Sequence, residues 1–159
     1  MGFHQFKELI FARYRSFRET GYLFECCFFQ NIMETLILFH LLDDSEILDF
    51  YHALYSSIDQ TNFLLLYLYS DKLEETIRAI QKERSDGSGA ELWYQMFLQY
   101  LSHSPYGVQH GFHSFEDMVG HLKHRQNLEL RILNEAIGGN AIILPSKEWD
   151  IGQLMPLVK

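Results

Sequence analysis

Short continuous apolar runs alternate along the chain with segments whose apolar residues recur every three or four positions. The runs cover residues 22–29, 63–69 and 141–144, and each has the pattern of a strand buried on both faces. The segments between them are typical of helices that pack by one face. This order predicts a helix-rich, three-layer α/β domain with a small parallel sheet of about three strands.

Polar residues and glycines mark where the predicted helices begin and end. Gly21 has the position of a C-terminal cap for the first helix. Asp71 with Glu74, and Ser114 with Asp117, have the spacing of capping boxes, in which side chains bond the first backbone N–H groups of a helix. We therefore expect helices to start just after residues 71 and 114.

The strongest linker pattern is SDGSGA, at residues 85–90, and residues 103–113 (HSPYGVQHGFH) predict a long loop. We predict a single domain over residues 1–159, with a lid-like region at about 84–113. An aromatic stripe at helical spacing precedes the loop and predicts core packing rather than a base-stacking platform; it consists of Trp93, Phe97 and Tyr100.

Composition narrows the classes of function. The 159 residues include 13 basic and 21 acidic side chains, giving a net charge of −8, and 47% are hydrophobic, which suits a packed core. No Lys or Arg lies between Arg18 and Lys72. This acidic balance excludes a nonspecific nucleic-acid binder. The sequence has neither a signal-peptide pattern nor a long apolar span, so we expect a cytoplasmic protein without a membrane partner.

Candidate chemistry lies where predicted strands and helices end, because ligands of parallel sheets bind at the carboxyl ends of strands. Glu25 interrupts the first apolar run and could hold magnesium or accept a proton; the alternative is a structurally paired carboxylate. Arg78 and Lys82 share one predicted helix face, and Arg84 opens the linker. These cations could bind phosphate, or simply form a solvated helix face.

Histidines and cysteines offer a rival interpretation. Cys26 and Cys27 are adjacent, which suits buried thiols better than a disulfide or a metal motif. His121 and His124 are three positions apart on a predicted helix and could bind a metal ion. Neither a thiolate nor an ExxH signature accompanies them. Surface or lid positions are the alternative for this group, which comprises His103, His110, His113, His121 and His124.

Three stretches resemble the P-loop nucleoside and nucleotide kinases, in particular thymidylate-kinase-like proteins. Residues 21–25 (GYLFE) are similar to a strand that ends in an acid, and residues 64–78 (LLLYLYSDKLEETIR) to a later strand followed by the helix of the first lid arginine. Residues 115–133 are similar to the helix after the lid. The resemblance extends over residues 21–155. The segments YLFECCFFQN, SPYGVQHGF and KHRQNLELRIL are also similar to a bacterial P-loop group.

This resemblance implies roles for four residues. Glu25 would be a catalytic or magnesium-associated acid, Arg78 and Arg84 would be lid arginines, and Arg125 would point toward a substrate phosphate. The implied substrate is a nucleotide or another small hydroxyl compound, and ATP with magnesium is implied for a complete homologue. Here Cys26 follows the acid, where the family usually has Arg after Asp.

The phosphate cradle GxxxxGK[ST] is absent, because no glycine of the chain is followed by Lys. Only about 20 residues precede the first predicted strand, too few for the strand, cradle and helix that would come before it. We therefore expect an N-terminally truncated fold that binds no cofactor and is inactive alone. Strand edges left without a neighbour could close on each other, self-associate or recruit a partner, so the alternative is a noncatalytic interaction module.

Overall fold

The computed structural model describes residues 1–86, 91–146 and 152. Over these residues the chain forms seven α-helices and two β-strands. In chain order they are α1 (Phe3–Ser16), α2 (Gln30–Leu38), α3 (Asp44–Ser56), β1 (Leu65–Tyr69), α4 (Leu73–Glu83), α5 (Leu92–His103), α6 (Pro105–His110), α7 (Phe115–Ile132) and β2 (Ala141–Pro145). A π-helical turn, Leu133–Ile137, continues α7 toward β2.

The two strands pair in parallel. Leu65 lies opposite Ala141 and Tyr69 opposite Pro145, and the Ser146 amide extends the pairing with a 2.8 Å hydrogen bond to the Tyr69 carbonyl. Because parallel strands need a crossover connection, the intervening chain forms α4 to α7. The coarse prediction of a helix-rich α/β chain with a small parallel sheet is confirmed, although the described residues contain two strands instead of about three.

The predicted strand over residues 22–29 is wrong. Residues 22–24 have no regular secondary structure, and residues 25–29 form bends and a turn before α2. Two backbone angles explain the break: Gly21 has φ +79° and Cys26 has φ +62°, and neither fits a continuous strand. Phe28 and Phe29 are buried at the start of α2. Tyr22, Leu23 and Phe24 are exposed, so most of the apolar run is neither paired in the sheet nor buried.

Two of the predicted helix boundaries also need correction. Gly21 does not cap α1, which ends at Ser16 with Phe17 as its C-cap. Lys72, and not Asp71, occupies the N-cap of α4, without a side-chain capping bond. The capping box of α7 is confirmed, since the Asp117 amide donates to Ser114 Oγ at 3.1 Å and the Ser114 amide donates to Asp117 Oδ2 at 2.9 Å.

The loop predicted over residues 103–113 contains a short helix, α6. Ser104 caps it by accepting a 2.9 Å hydrogen bond from the Gly107 amide, Pro105 occupies its first turn, and Gly111 ends it with φ +67°. These are ordinary start and stop signals. The linker pattern over residues 85–90 and the end of the resemblance near residue 155 lie largely outside the described residues.

The chain divides into two compact units. In the first, the strand unit, α1 packs on α3 through aromatic edges, with Phe11 and Phe50 centroids 5.4 Å apart. The amide of Asn140, which precedes β2, donates 2.8 Å hydrogen bonds to Tyr55 Oη and to the Gln60 carbonyl. The strand unit comprises residues 1–24, 45–71 and 129–159, and the structure describes its residues 1–24, 45–71, 129–146 and 152.

The second, helical unit comprises residues 25–44 and 72–128. Its best-buried element is α2, whose residues 32–34 and 36–38 are all buried, including one acid, Glu34. In contrast, α5 buries only Leu101, so the predicted core role is wrong for Tyr100, which is exposed, while Trp93 and Phe97 are half-buried. Among the described helices, none has the length and apolar character needed to cross a lipid bilayer.

Candidate functional site

Glu25, the predicted catalytic acid, lies in the bend before α2 and is exposed. Because no strand precedes it, it does not stand at the carboxyl end of the sheet. Its neighbour Cys26 is exposed, contrary to the prediction of a buried thiol, and Cys27 is half-buried. Partial burial, followed by the charges of Glu25 and Cys27, raises the pKa of the Cys26 thiol, and Arg125 opposes this only weakly. At neutral pH Cys26 is therefore a thiol, not an activated thiolate.

Arg78 and Arg84 are held by different contacts on the surface of the helical unit. Arg78 Nη2 donates to Glu74 Oε1 at 3.0 Å, and its guanidinium lies 4.0 Å from the centre of the Phe115 ring. Arg84 follows α4 and lies 5.2 Å from the Trp93 ring. Each cation thus stacks on an aromatic ring of another helix, which is a common structural use of arginine.

Arg125, the third predicted phosphate ligand, binds a carboxylate of its own chain. Its Nη1 donates to Oε1 of Glu34, the acid buried on α2. His121, one helical turn earlier on α7, has a fully buried side chain, and its Nε2 lies 2.8 Å from the other oxygen, Oε2. Glu34 therefore has a donor on each carboxylate oxygen. We call these three residues the Glu34 cluster.

The electrostatics of the Glu34 cluster explain how a carboxylate remains charged inside the protein. Burial alone would raise the pKa of Glu34, but the hydrogen bond from His121 and the charges of His121 and Arg125 lower it below 4.5. A carboxylate has no hydrogen to donate, so His121 must donate through Nε2. Rings of Tyr106 and Phe112 lie 6.4 and 6.2 Å from the His121 ring. Because both carboxylate oxygens are occupied, the cluster is suited to holding α2 against α7 and not to accepting a substrate proton.

The histidines of the metal hypothesis have other partners. His124 Nε2 lies 2.7 Å from Asp44 Oδ1, and His121 faces a different carboxylate, that of Glu34. His103 Nδ1 and His113 Nδ1 contact backbone carbonyls at 2.8 and 2.6 Å. Over residues 1–86, 91–146 and 152, no three His, Cys, Asp or Glu side chains are placed to share a metal ion.

The four predicted site residues, Glu25, Arg78, Arg84 and Arg125, all belong to the helical unit, but the contacts described above do not join them into one site. Sequence analysis missed Glu34 as the centre of a polar cluster. A signal was present, because Glu34 is the one charged residue of a helix that is otherwise mostly apolar. Its partners lie 87 and 91 positions away, beyond the reach of spacing arguments.

A second candidate surface lies on the sheet of the strand unit. Tyr67, on one face of β1, donates a 2.7 Å hydrogen bond to the buried Glu129 on α7. Leu66 and Leu68 point to the opposite face, as successive strand residues do, and remain 38% and 44% exposed. Every residue of both strands is half-buried or exposed. We call Leu66 and Leu68 the open sheet face.

Comparison with known proteins gives no relative. No protein-family model matches the chain, and no curated protein or solved structure matches it. The resemblance to P-loop kinases therefore stays a prediction that rests on the residues quoted above.

Proposed function

We propose that this chain is a noncatalytic α/β interaction module whose sheet binds an extended apolar segment of a partner. The observation that carries the proposal is the open sheet face, with Leu66 and Leu68 exposed on a strand that pairs only with β2 within the described residues. Apolar parallel strands are normally covered on both faces. A partner that bound here would cover apolar side chains of β1 that the described residues leave exposed.

The two edges of the sheet differ in how well they could accept a further strand. Unpaired edge strands expose N–H and C=O groups that can bind an extended segment, and proline or charged residues normally block them. β2 ends in Pro145, which has no N–H group to donate. β1 has the sequence LLYLY, with neither proline nor charge. We therefore propose that the partner segment pairs with the outer edge of β1, where its side chains on one face would lie beside Leu66 and Leu68.

A peptide-binding measurement tests this proposal. The probe is a fluorescent peptide of residues 140–146 (NAIILPS), because this sequence already pairs with β1 inside the chain. We expect saturable binding by anisotropy, and Leu68→Lys should raise the Kd at least about tenfold, or 1.4 kcal/mol.

The matched control is Leu9→Lys, which changes another exposed leucine of the strand unit but lies on α1. It should bind the peptide like the unmodified chain, and a scrambled peptide should not bind. The proposal is wrong if the NAIILPS peptide does not bind, or if both variants lose binding equally.

A second candidate function is descent from a phosphotransferase. The parallel β1 and β2, joined through α4 to α7, form the kind of crossover that such a fold needs. We infer that the ancestral reaction moved a phosphoryl group from ATP to a nucleotide or small hydroxyl compound, with Glu25 orienting the acceptor. Arg78, Arg84 and Arg125 would have stabilised phosphate charge.

This chain should not catalyse that reaction, since it has no GxxxxGK[ST] cradle. The measurement is ATP turnover in the presence of magnesium, and we expect none above the rate without protein. Turnover that disappears in Arg84→Ala would contradict this expectation.

A further inference from the structure

Helix α5 carries an apolar face that the helical unit does not cover. Its twelve residues, LWYQMFLQYLSH, include no Lys, Arg, Asp or Glu, yet only Leu101 is buried. A helix this apolar is normally buried on most sides. Leu92, Met96 and Tyr100 are four positions apart, so they share one face, and all three are exposed. We call these three residues the α5 face.

Part of the α5 face lines a groove. Phe39, at the end of α2, approaches Tyr100 with ring centroids 5.7 Å apart, and the two rings line an open groove of about 380 Å³. A cavity of this size accommodates large side chains. Its lining combines apolar and polar groups, namely Phe39, Met96, Gln99, Tyr100, His103 and Ser104. Such a groove along an apolar stripe suits a helix that presents side chains every four positions.

Charge favours a second copy of this chain as the partner helix. Two chains of net charge −8 repel each other over most of their surfaces, but α5 is uncharged between its ends and offers no such repulsion. Glu91 precedes the helix and His103 ends it. An antiparallel pair therefore places the two Glu91 carboxylates at opposite ends of the interface, and it also aligns the helix dipoles favourably.

We propose that two copies of this chain associate by packing α5 against α5 in an antiparallel pair with two-fold symmetry. Side chains four positions apart form ridges that interdigitate between helices. Met96, at the middle of the α5 face, then lies on the symmetry axis against Met96 of the other copy, and Leu92 lies against Tyr100 of the other copy. This inference uses residues of the helical unit and does not depend on the open sheet face.

Light scattering on the full chain tests the proposal. We expect a mass twice the 18.8 kDa of one chain, falling to one chain on dilution. Met96→Glu places two carboxylates at the axis and should raise the dimer Kd at least about 100-fold. Val108→Glu is the matched control, because Val108 on α6 and Met96 are both 69% exposed and the charge change is the same. This variant should remain dimeric.

Disulfide crosslinking gives a second measurement of the interface, and it does not depend on whether Met96→Glu folds. In a chain carrying Cys26→Ser and Cys27→Ser, a mild oxidant should link Met96→Cys into a covalent dimer but leave Val108→Cys unlinked. A monomeric native chain at high concentration, equal effects at positions 96 and 108, or no link at position 96 in a persistent dimer would each overturn the proposal. Leu68→Lys, which tests the sheet, should leave this dimer intact.

Discussion

The Glu34 cluster in the helical unit buries a charged side chain, whereas the open sheet face in the strand unit exposes apolar ones. Glu34 is charged and buried, and each of its oxygens has a donor from α7. Leu66 and Leu68 are apolar and remain exposed. The difference follows from the two free energies involved. A buried charge without partners costs several kcal/mol, whereas exposed apolar area costs only about 25 cal/mol per Å². A fold must therefore satisfy the first internally but can keep the second for binding.

The largest effect that we expect comes from Glu34→Gln. This change removes the charge that both His121 and Arg125 contact, and the free energy of unfolding in urea should fall by about 3–5 kcal/mol. Glu74→Gln is the control, since it breaks the exposed pair with Arg78 and should cost less than about 1 kcal/mol. Equal losses in the two variants would show that the buried cluster has no special role.

The pH dependence of the unfolding free energy separates the contribution of the Glu34 charge from that of its side-chain packing. Because its pKa is lowered from 4.5 in the folded chain, its stabilisation is complete above that value and is lost as pH falls through the lowered folded pKa. The difference in unfolding free energy between the native chain and Glu34→Gln should thus be constant near neutral pH and shrink in acid. A difference that does not change with pH would show that the carboxylate charge contributes nothing.

A smaller effect should follow from Tyr67→Phe in the strand unit. The hydroxyl of Tyr67 bonds the buried Glu129 at 2.7 Å and holds the covered face of β1 against α7. Its loss should lower the unfolding free energy by about 1–2 kcal/mol. Tyr22→Phe, the same change at an exposed tyrosine of this unit, should stay within about 0.5 kcal/mol. If Tyr67→Phe is also neutral, this face of the sheet is not anchored by Glu129.

The sequence predicts the two strands well because their apolar runs are uninterrupted and their separation leaves room for a crossover. It fails at residues 22–29, where an equally apolar run lies outside the sheet. Periodicity cannot distinguish these cases, because the three runs are similarly apolar although only Phe28 and Phe29 of residues 22–29 are buried. The positive φ of Cys26 prevents a continuous strand at residues 22–29, and the residue type gives no indication of it.

The candidate sites also divide into those that local sequence patterns predict and those that depend on contacts between distant residues. Local signals were sufficient for Ser114 with Asp117, and those of α6 could have been read from Ser104, Pro105 and Gly111. The Glu34 cluster depends on contacts between α2 and α7, which are far apart in the chain. The resemblance to P-loop kinases suggested Arg125 as a phosphate ligand, and the sequence could not show that a carboxylate of the same chain is its partner.

The smallest expected effect on stability comes from Leu66→Thr, and it tests whether the open sheet face is open in solution. Threonine is β-branched and favours strands, and Leu66 is 38% exposed, so the unfolding free energy should change by less than about 1 kcal/mol. Leu54→Thr, a buried position in the same unit, should cost about 2–4 kcal/mol. Binding of the NAIILPS peptide should nevertheless weaken in Leu66→Thr, because the substitution removes apolar area that only a partner covers. A loss of stability as large as that of Leu54→Thr would mean that the folded chain already covers this face, and the sheet would then have no apolar surface left for a partner.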